Sequence, residues 1–189
     1  MRILAFAASL KKTSLNRRLL SLAARLAAEG GADVEVADFA EFACPNYDAD
    51  LEAAEGVPLG AVRLGKHLNQ VDGILLSSPE YNSSLPGTLK NTIDWVSRLK
   101  PLPWRGRSGM LMAVSDGAFG GIRGLWQLRI PLEVLGVALL PDMYVLPIGK
   151  TAFNEDGTLV EASRQERLER LITAYLKFGG ALAAAGQAE

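Results

Sequence analysis

The chain has 189 residues, of which 49% are hydrophobic and 22% charged, and these proportions are typical of one folded domain rather than a disordered or fibrous protein. The net charge of −1 is too small for a protein that binds nucleic acid by neutralising phosphates. One cysteine and one histidine exclude a disulfide framework and a structural zinc site. No apolar run reaches the length of a membrane span, so we expect a cytoplasmic protein with neither nucleic acid nor membrane as its partner.

Short apolar runs alternate with stretches of helical spacing along the chain. The strand-like runs cover residues 3–7, 34–36, 74–76 and 110–114, with a weaker fifth between 137 and 146. Most of them are continuous rather than alternating, which is typical of strands buried on both faces of a parallel sheet. Helical spacing follows from Leu15, Leu89, Leu125 and Leu168. This alternation predicts an α/β fold, a doubly wound five-stranded parallel sheet with helices on both faces.

No internal repeat or low-complexity linker divides the chain between these elements. We therefore expect one domain over residues 1–189, with a frayed tail from about residue 181. Residues 39–56 are predicted to form a loop. Pro131 lies inside the helical stretch that begins at Leu125 and lacks a backbone N–H, so we expect a kink or a late helix start there.

The segment from Ala8 to Asn16 lies between the first strand and the first helix. It holds hydroxyl groups, an amide and two lysines, but no acidic residue. In open parallel sheets ligands bind beyond the carboxyl ends of the strands, and a helix N-terminus favours an anion. A phosphate monoester would suit this segment, although Thr13 or Ser14 could instead simply cap the helix.

Two further polar segments follow predicted strands. Residues 77–87 carry an aromatic ring, an acid, an amide and several hydroxyl groups, which favours a binding loop, although Pro79 and Asn82 also suit turns and Pro86 a first helical position. Residues 115–121 are rich in glycine, which allows either close approach to a flat ligand or a tight turn.

Two motifs, in this order, resemble those of the NADPH-dependent FMN reductase family. They are Ser9-x-Lys11-x-x-Ser14-x-Asn16, and Pro79-Glu80-Tyr81-Asn82 followed by Pro86-Gly87-x-Leu89-Lys90-Asn91-x-Ile93-Asp94-Trp95. The resemblance spans roughly residues 3 to 130. The family has a flavodoxin-like fold and includes quinone, azo-dye and chromate reductases.

This resemblance implies an oxidoreductase that uses FMN as cofactor and NADPH or NADH as electron donor. It also implies a quinone-like small-molecule electron acceptor and a homodimer or homotetramer. The cofactor-binding residues that it implies are Ser9, Lys11, Ser14 and Asn16 at the phosphate, Pro79, Glu80, Tyr81 and Asn82 at the ribityl chain and ring, and Ser115, Gly117, Gly120 and Gly121 beside the ring. Because FMN carries the chemistry, no side chain is expected to act as catalyst, and no metal is expected.

The chain departs from the family at one position of the first motif and at the residue just before it. The family usually has glycine where Ala8 stands and arginine where Lys11 stands. A lysine cannot reproduce the two-pronged contact of a guanidinium with phosphate. Asp116, beside the expected position of the ring, is also unusual.

Other interpretations compete with this one. A flavodoxin-type electron carrier would bind flavin without oxidising NAD(P)H, and a flavin-free hydrolase or transferase could use the same fold. The stretch from Gly60 to His67 imitates a phosphate-binding P-loop, but His67 replaces its serine or threonine and no strand precedes it. Cys44 and His67 are interpreted as structural. The three tryptophans, Trp95, Trp104 and Trp126, suit either the core or a subunit contact.

Overall fold

The computed structural model describes residues 1–186, which form a parallel sheet covered by helices. The strands are β1 (Arg2–Ala7), β2 (Asp33–Ala37), β3 (Gly73–Ser77), β4 (Ser108–Val114), β5 (Ala138–Leu139) and β6 (Tyr144–Leu146). The helices are α1 (Leu15–Glu29), α2 (Ala49–Glu55), α3 (Leu59–Leu68), α4 (Gly87–Val96), α5 (Ile122–Val134) and α6 (Ala162–Gly186). None of these helices is long and apolar enough to cross a membrane.

The sheet has the strand order β2-β1-β3-β4-β5, and β6 also pairs with β4. Every pairing is parallel. The chain moves outward from β1 to β2 and then returns past β1 to β3, which is the order of flavodoxin-like folds and confirms the predicted fold class. The β1/β3 boundary is therefore the switch point, beyond which ligands bind in such sheets.

Two apolar layers hold the helices onto the sheet. On one face Phe6 and Leu76 pack with residues of α3, α4 and α5, including the fully buried Trp95. On the other face Ile3 and Leu75 pack with residues of α1 and α6. Helices cover β1, β3 and β4 on both sides, which explains why the sequences of these strands are continuous apolar runs. The edge strand β2 is largely exposed, unlike the central strands.

Several elements differ from the sequence-based expectations. The fifth strand is divided into β5 and β6, which pair with opposite ends of β4. Residues 39–56 are not one loop, because a 3₁₀ turn forms over Phe39–Phe42 and α2 follows it. The side chains of Asp38 and Asp48 cap these two elements by accepting hydrogen bonds from backbone N–H groups, at 3.0 Å from Ala40 and 2.8 Å from Asp50.

The C-terminal half contains two more differences. Helix α5 begins at Ile122, well before Pro131, so the expectation of a late helix start is wrong. Pro131 lies in the last turn, where its missing N–H removes only one of the helical hydrogen bonds. Residues 181–186 continue α6 instead of fraying, and the rest of the expected tail, residues 187–189, lies outside the described residues.

Candidate functional site

The three polar segments meet at the carboxyl ends of β1, β3 and β4, and Asn16 joins them. Its side-chain oxygen accepts hydrogen bonds from the Ser77 hydroxyl at 2.9 Å and from the Val114 N–H at 3.1 Å. Its amide nitrogen donates to the Val114 carbonyl at 3.0 Å. We call the segments the first loop (residues 8–14), the second loop (78–86) and the third loop (115–121). Asn16 thus links the start of α1 to the ends of β3 and β4. Only its second amide hydrogen could be donated to a ligand.

The first loop forms an open cradle of hydrogen-bond donors. Within residues 1–186, the backbone N–H groups of residues 10–13 donate to no protein acceptor. Lys11 and Lys12 are exposed on the same loop. Ser14 caps α1, since its hydroxyl oxygen accepts the Asn16 N–H at 3.2 Å, and this confirms the capping interpretation. Free N–H groups beside a helix N-terminus and two lysines together favour an anion.

Arg17 supports this loop from outside the motif and was missed by the sequence analysis. Its guanidinium donates to the Ser9 carbonyl at 3.2 Å and pairs with the Asp38 carboxylate at 2.6 Å. The hydrogen bond from Arg17 lowers the pKa of Asp38, and the charge of Lys12 lowers it further. Arg17 and Lys12 therefore offset the negative charge of Asp38. Within residues 1–186, Lys11 forms no ion pair with this acid.

Ala8, where the family usually has glycine, fits the fold without strain. Its side chain is buried in the apolar layer that contains Phe6 and Leu76, and its N–H donates to the Ser77 carbonyl at 2.9 Å. The extra methyl group therefore lies in the core and does not narrow the cradle.

The second loop is a tight hairpin. Tyr81 and Ser84 exchange two backbone hydrogen bonds of 2.9 and 3.0 Å across a two-residue turn. Both turn residues have positive φ, 51° at Asn82 and 65° at Ser83, as in a type I′ turn. The hairpin leaves Tyr81 54% exposed. Pro79 precedes it, and Pro86 is the N-cap of α4 rather than its first residue.

Glu80 ties the second loop to α5. Its side chain is only 8% exposed, and the carboxylate accepts hydrogen bonds from the backbone N–H groups of Arg123 at 3.0 Å and Gly124 at 3.1 Å, in the first turn of the helix. The Arg123 guanidinium also binds it. Burial opposes ionisation, but the Arg123 side chain and the two N–H groups lower the pKa of Glu80 below its usual value. The side chain therefore positions the hairpin, and only the backbone of Glu80 is available to a ligand.

The third loop is shaped by glycine. Gly120 and Gly121 have φ values of 59° and 95°, and a Cβ at Gly121 would come within 2.7 Å of the Ala113 side chain. This supports the tight-turn interpretation, and contact of either glycine with a ring stays a prediction. Asp116 accepts the Lys150 N–H at 3.0 Å and pairs with its ammonium at 3.2 Å, so the unusual acid anchors the turn that follows β6.

Ser115 and Gly117 occupy the outer part of the third loop. The Ser115 hydroxyl accepts the Gly117 N–H at 3.0 Å, and a Cβ at Gly117 would meet no atom closer than that hydroxyl at 3.4 Å. Gly117 is exposed and Ser115 is partly buried. A ligand could therefore approach both residues, as it could the exposed Asp116, Ala118 and Phe119 of the same loop.

The other candidates from the sequence lie away from these loops. His67 lies on α3 with Gly60, as expected of an accidental P-loop match, and its ring nitrogen contacts the Glu35 carboxylate at 2.7 Å. Burial raises the pKa of the Cys44 thiol, so that thiol is not activated. Trp95 and Trp104 are completely buried, which leaves Trp126, 55% exposed, as the tryptophan available for a subunit contact.

Comparison with known proteins relates this chain to a family of reductases. Residues 1–151 match the family model described as NADPH-dependent FMN reductase. The chain is 32% identical to a quinone reductase of Escherichia coli (strain K12), over 94% of this chain and 95% of that protein. It is 31% identical to an NAD(P)H-dependent FMN reductase of Pseudomonas aeruginosa, over 92% of each chain. The structure of an NAD(P)H:(acceptor) oxidoreductase of Paracoccus denitrificans superposes with a TM-score of 0.81 and 27% identity, covering 95% of this chain and 97% of that one.

Proposed function

The chain belongs to the NADPH-dependent FMN reductase family, and from this membership we propose that its three loops hold FMN within a single domain, residues 1–189. The activity is that of an NAD(P)H-dependent FMN oxidoreductase that reduces quinones. The overall reaction converts NAD(P)H, a proton and a quinone into NAD(P)⁺ and a hydroquinone.

The observation that carries the assignment of the site is the donor cradle of the first loop. Four consecutive N–H groups that have no acceptor among residues 1–186 lie beside the start of α1 and Lys11, and they suit the terminal phosphate of FMN. The Ser14 hydroxyl keeps its hydrogen free for the same oxygen atoms. The guanidinium of Arg17 offsets the negative charge of the nearby Asp38 carboxylate. The residues present therefore fit the phosphate end of the cofactor.

The second and third loops would hold the flavin ring. The exposed Tyr81 ring offers apolar contact, while the backbones of Glu80 and Asn82 and the outer third loop at Ser115 and Gly117 offer polar groups. When bound, FMN would accept a hydride from the nicotinamide and pass two electrons to the acceptor. The chain's own part is to bind and orient, so we propose no side-chain acid–base catalyst.

The hydrogen bonds that anchor these loops support a role of the chain in binding and orienting the cofactor. Asn16 fixes the ends of β3 and β4 relative to α1, and Glu80 fixes the hairpin relative to α5. A cofactor site held in this way needs little rearrangement when its ligand arrives. Family membership and the named relatives favour an enzyme over a flavodoxin-type carrier or a flavin-free hydrolase.

We also propose a homodimer or homotetramer that associates through α5. Three residues one helical turn apart, Trp126, Ile130 and Val134, are 55%, 59% and 80% exposed, which is unusual for large apolar side chains in one row. The row continues from the end of α5 that Glu80 caps. A second copy packed there would lie next to the second loop. The reducing cytoplasm, expected from the single cysteine, belongs to this proposal too.

Equilibrium dialysis against FMN and riboflavin tests the proposed site directly. The first loop would bind the phosphate through charge-assisted hydrogen bonds, so the protein should take up one FMN at micromolar concentration and bind riboflavin at least tenfold more weakly. Equal affinity for the two flavins would show that the first loop holds no phosphate. No uptake of either flavin would overturn the proposed cofactor.

A further inference from the structure

Ile148, two residues after β6, has a left-handed backbone conformation, with φ 57° and ψ 46°. Among the described residues other than glycine, only Asn82 and Ser83 share a positive φ, and they form the turn of the second loop. A β-branched side chain crowds the backbone in this conformation, whereas glycine and asparagine adopt it readily. Residues strained in this way cluster at functional sites.

Close contacts with the end of β4 maintain the turn at Ile148. The Gly149 N–H donates to the Ser115 carbonyl at 3.1 Å, and Asp116 accepts the next backbone N–H at 3.0 Å. A Cβ at Gly149 would collide with the Val114 side chain, so the backbone approaches β4 as closely as it can. These contacts involve only the residues that follow Ile148, and they hold the turn whatever side chain stands at that position.

The side chain of Ile148 is not needed for core packing. Ile148 is 57% exposed and belongs to neither of the two apolar layers that hold the helices onto the sheet. Glycine or asparagine would make the same turn with less strain. Packing within the described part of the chain therefore gives no reason for a β-branched residue there, whereas a contact with a bound ligand does.

The neighbours of Ile148 place it at the edge of the proposed cofactor site. A Cβ at Gly120, in the third loop, would lie 3.0 Å from the Pro147 nitrogen. A Cβ at Gly149 would lie 3.0 Å from the side chain of Leu15, the first residue of α1. Ile148 therefore borders both the third loop and the start of α1, and its exposed side chain lies beside the loops proposed to hold FMN.

We propose that Ile148 is an apolar contact of the flavin ring, and that the strained turn directs its side chain toward that ring. The inference rests on the proposed function and adds a residue from outside both sequence motifs. Ser115 and Gly117 would offer polar groups to the ring, while Ile148 would cover an apolar part of it. Burial of an exposed aliphatic side chain against a ring stabilises the complex independently of the phosphate.

Thermal unfolding of the FMN-free protein tests the strain. Asparagine tolerates the left-handed conformation, so Ile148→Asn should raise the Tm by about 2–4 °C. Val160→Asn is the matched control, because Val160 is also β-branched and 57% exposed but has no positive φ. This control should not raise the Tm. A Tm of Ile148→Asn at or below that of the parent would overturn the strained turn.

Binding of FMN and riboflavin, followed by fluorescence quenching, tests the contact itself. Ile148→Asn should weaken the binding of both flavins by the same factor, about tenfold, because the ring is common to the two. Val160→Asn should bind both flavins as the parent does. Unchanged dissociation constants in Ile148→Asn, or a loss limited to FMN, would overturn the proposed contact.

A conservative variant separates an apolar contact from damage to the loop. Leucine keeps an aliphatic side chain, so Ile148→Leu should bind both flavins within about twofold of the parent. A loss in Ile148→Leu as large as that in Ile148→Asn would overturn an apolar contact. Light scattering completes the test. If Ile148→Asn changes the molar mass and leaves both flavin constants unchanged, the side chain serves a contact between copies of the chain and the proposal is wrong.

The parent protein separates this inference from the proposed function. If the parent binds neither flavin, the proposed cofactor fails and the contact of Ile148 fails with it. If the parent binds FMN and Ile148→Asn binds both flavins equally well, the contact alone fails and the proposed function stands.

Discussion

At the scale of single residues, Lys11 carries the sharpest expectation. It stands where the family usually has arginine, and it is exposed on the donor cradle. If its ammonium contacts the FMN phosphate, Lys11→Ala removes a charge-assisted hydrogen bond worth roughly 1.5–3 kcal/mol, which lowers FMN affinity about ten- to a hundredfold. Lys11→Arg should bind FMN as well as the parent or better, since a guanidinium can make two contacts. Fluorescence quenching at two salt concentrations measures these dissociation constants.

Lys12 is the internal control for this prediction. It lies near Asp38, whose pKa it helps to lower, so Lys12→Ala should weaken FMN binding less than Lys11→Ala. Riboflavin, which lacks the phosphate, should bind the parent and Lys11→Ala equally. Equal FMN dissociation constants for the parent and Lys11→Ala would contradict a phosphate contact of Lys11, and the first loop would then be interpreted only as the cap of α1.

Glu80 should show its structural role as a pH dependence of stability. Its folded pKa is lower than its usual value, so its carboxylate contributes stability that is complete above about pH 5 and is lost as the pH falls through the folded pKa. Glu80→Gln should therefore lower the urea midpoint clearly at pH 7 and much less at pH 3. Glu133→Gln, which breaks an exposed pair on the same helix, should change little at either pH. A Glu80→Gln deficit that is the same at both pH values would contradict this role.

The sequence could indicate which residues suit a phosphate, but it could not indicate how each is used. Glu80 was expected at the flavin, but the role of its side chain could not be predicted, because its partners in α5 lie 43 and 44 residues further along the chain. Arg17 immediately follows the motif, but its role depends on Asp38 at the end of a neighbouring strand. Such contacts form only when the sheet brings distant loops together.

At the scale of elements, the exposed row on α5 is the feature to test. Substituting Ile130 by Glu places a charge in the centre of the proposed contact, where an unpaired charge would be desolvated. We expect Ile130→Glu to shift the molar mass measured by light scattering from an oligomer toward the single chain. Val160→Glu, at a residue 57% exposed outside α5, is the control and should leave the mass unchanged. A parent protein that is already monomeric with FMN bound would contradict the proposed assembly.

The elements themselves were largely predictable, because the strands at the centre of the sheet are continuous apolar runs. β1, β3 and β4 were found within two residues of their ends. The weaker elements were missed for physical reasons. β5 has two residues and β6 has three, too few to show any periodicity. Helix α2 buries no residue, so it lacks an apolar stripe. The one sequence feature that could have indicated this helix was Asp48, a favourable N-cap residue.

At the scale of the whole molecule, the strand order explains why the site lies where it does. The switch between β1 and β3 separates the connections that run to opposite faces of the sheet, and the first and second loops leave the sheet on either side of it. This convergence could be predicted from the α/β pattern alone. A cavity lined by Leu10, residues 39–46 and residues 87–92 could not be predicted, because its walls come from three separate stretches of the chain.

Anaerobic reduction of the FMN-loaded protein by NADPH tests the central claim most directly. We expect NADPH to bleach the visible flavin absorbance in a 1:1 ratio to bound FMN, and subsequent addition of duroquinone to restore the absorbance while one hydroquinone forms per flavin. Bound flavin that NADPH and NADH both fail to bleach would contradict an NAD(P)H-dependent oxidoreductase and favour an electron carrier.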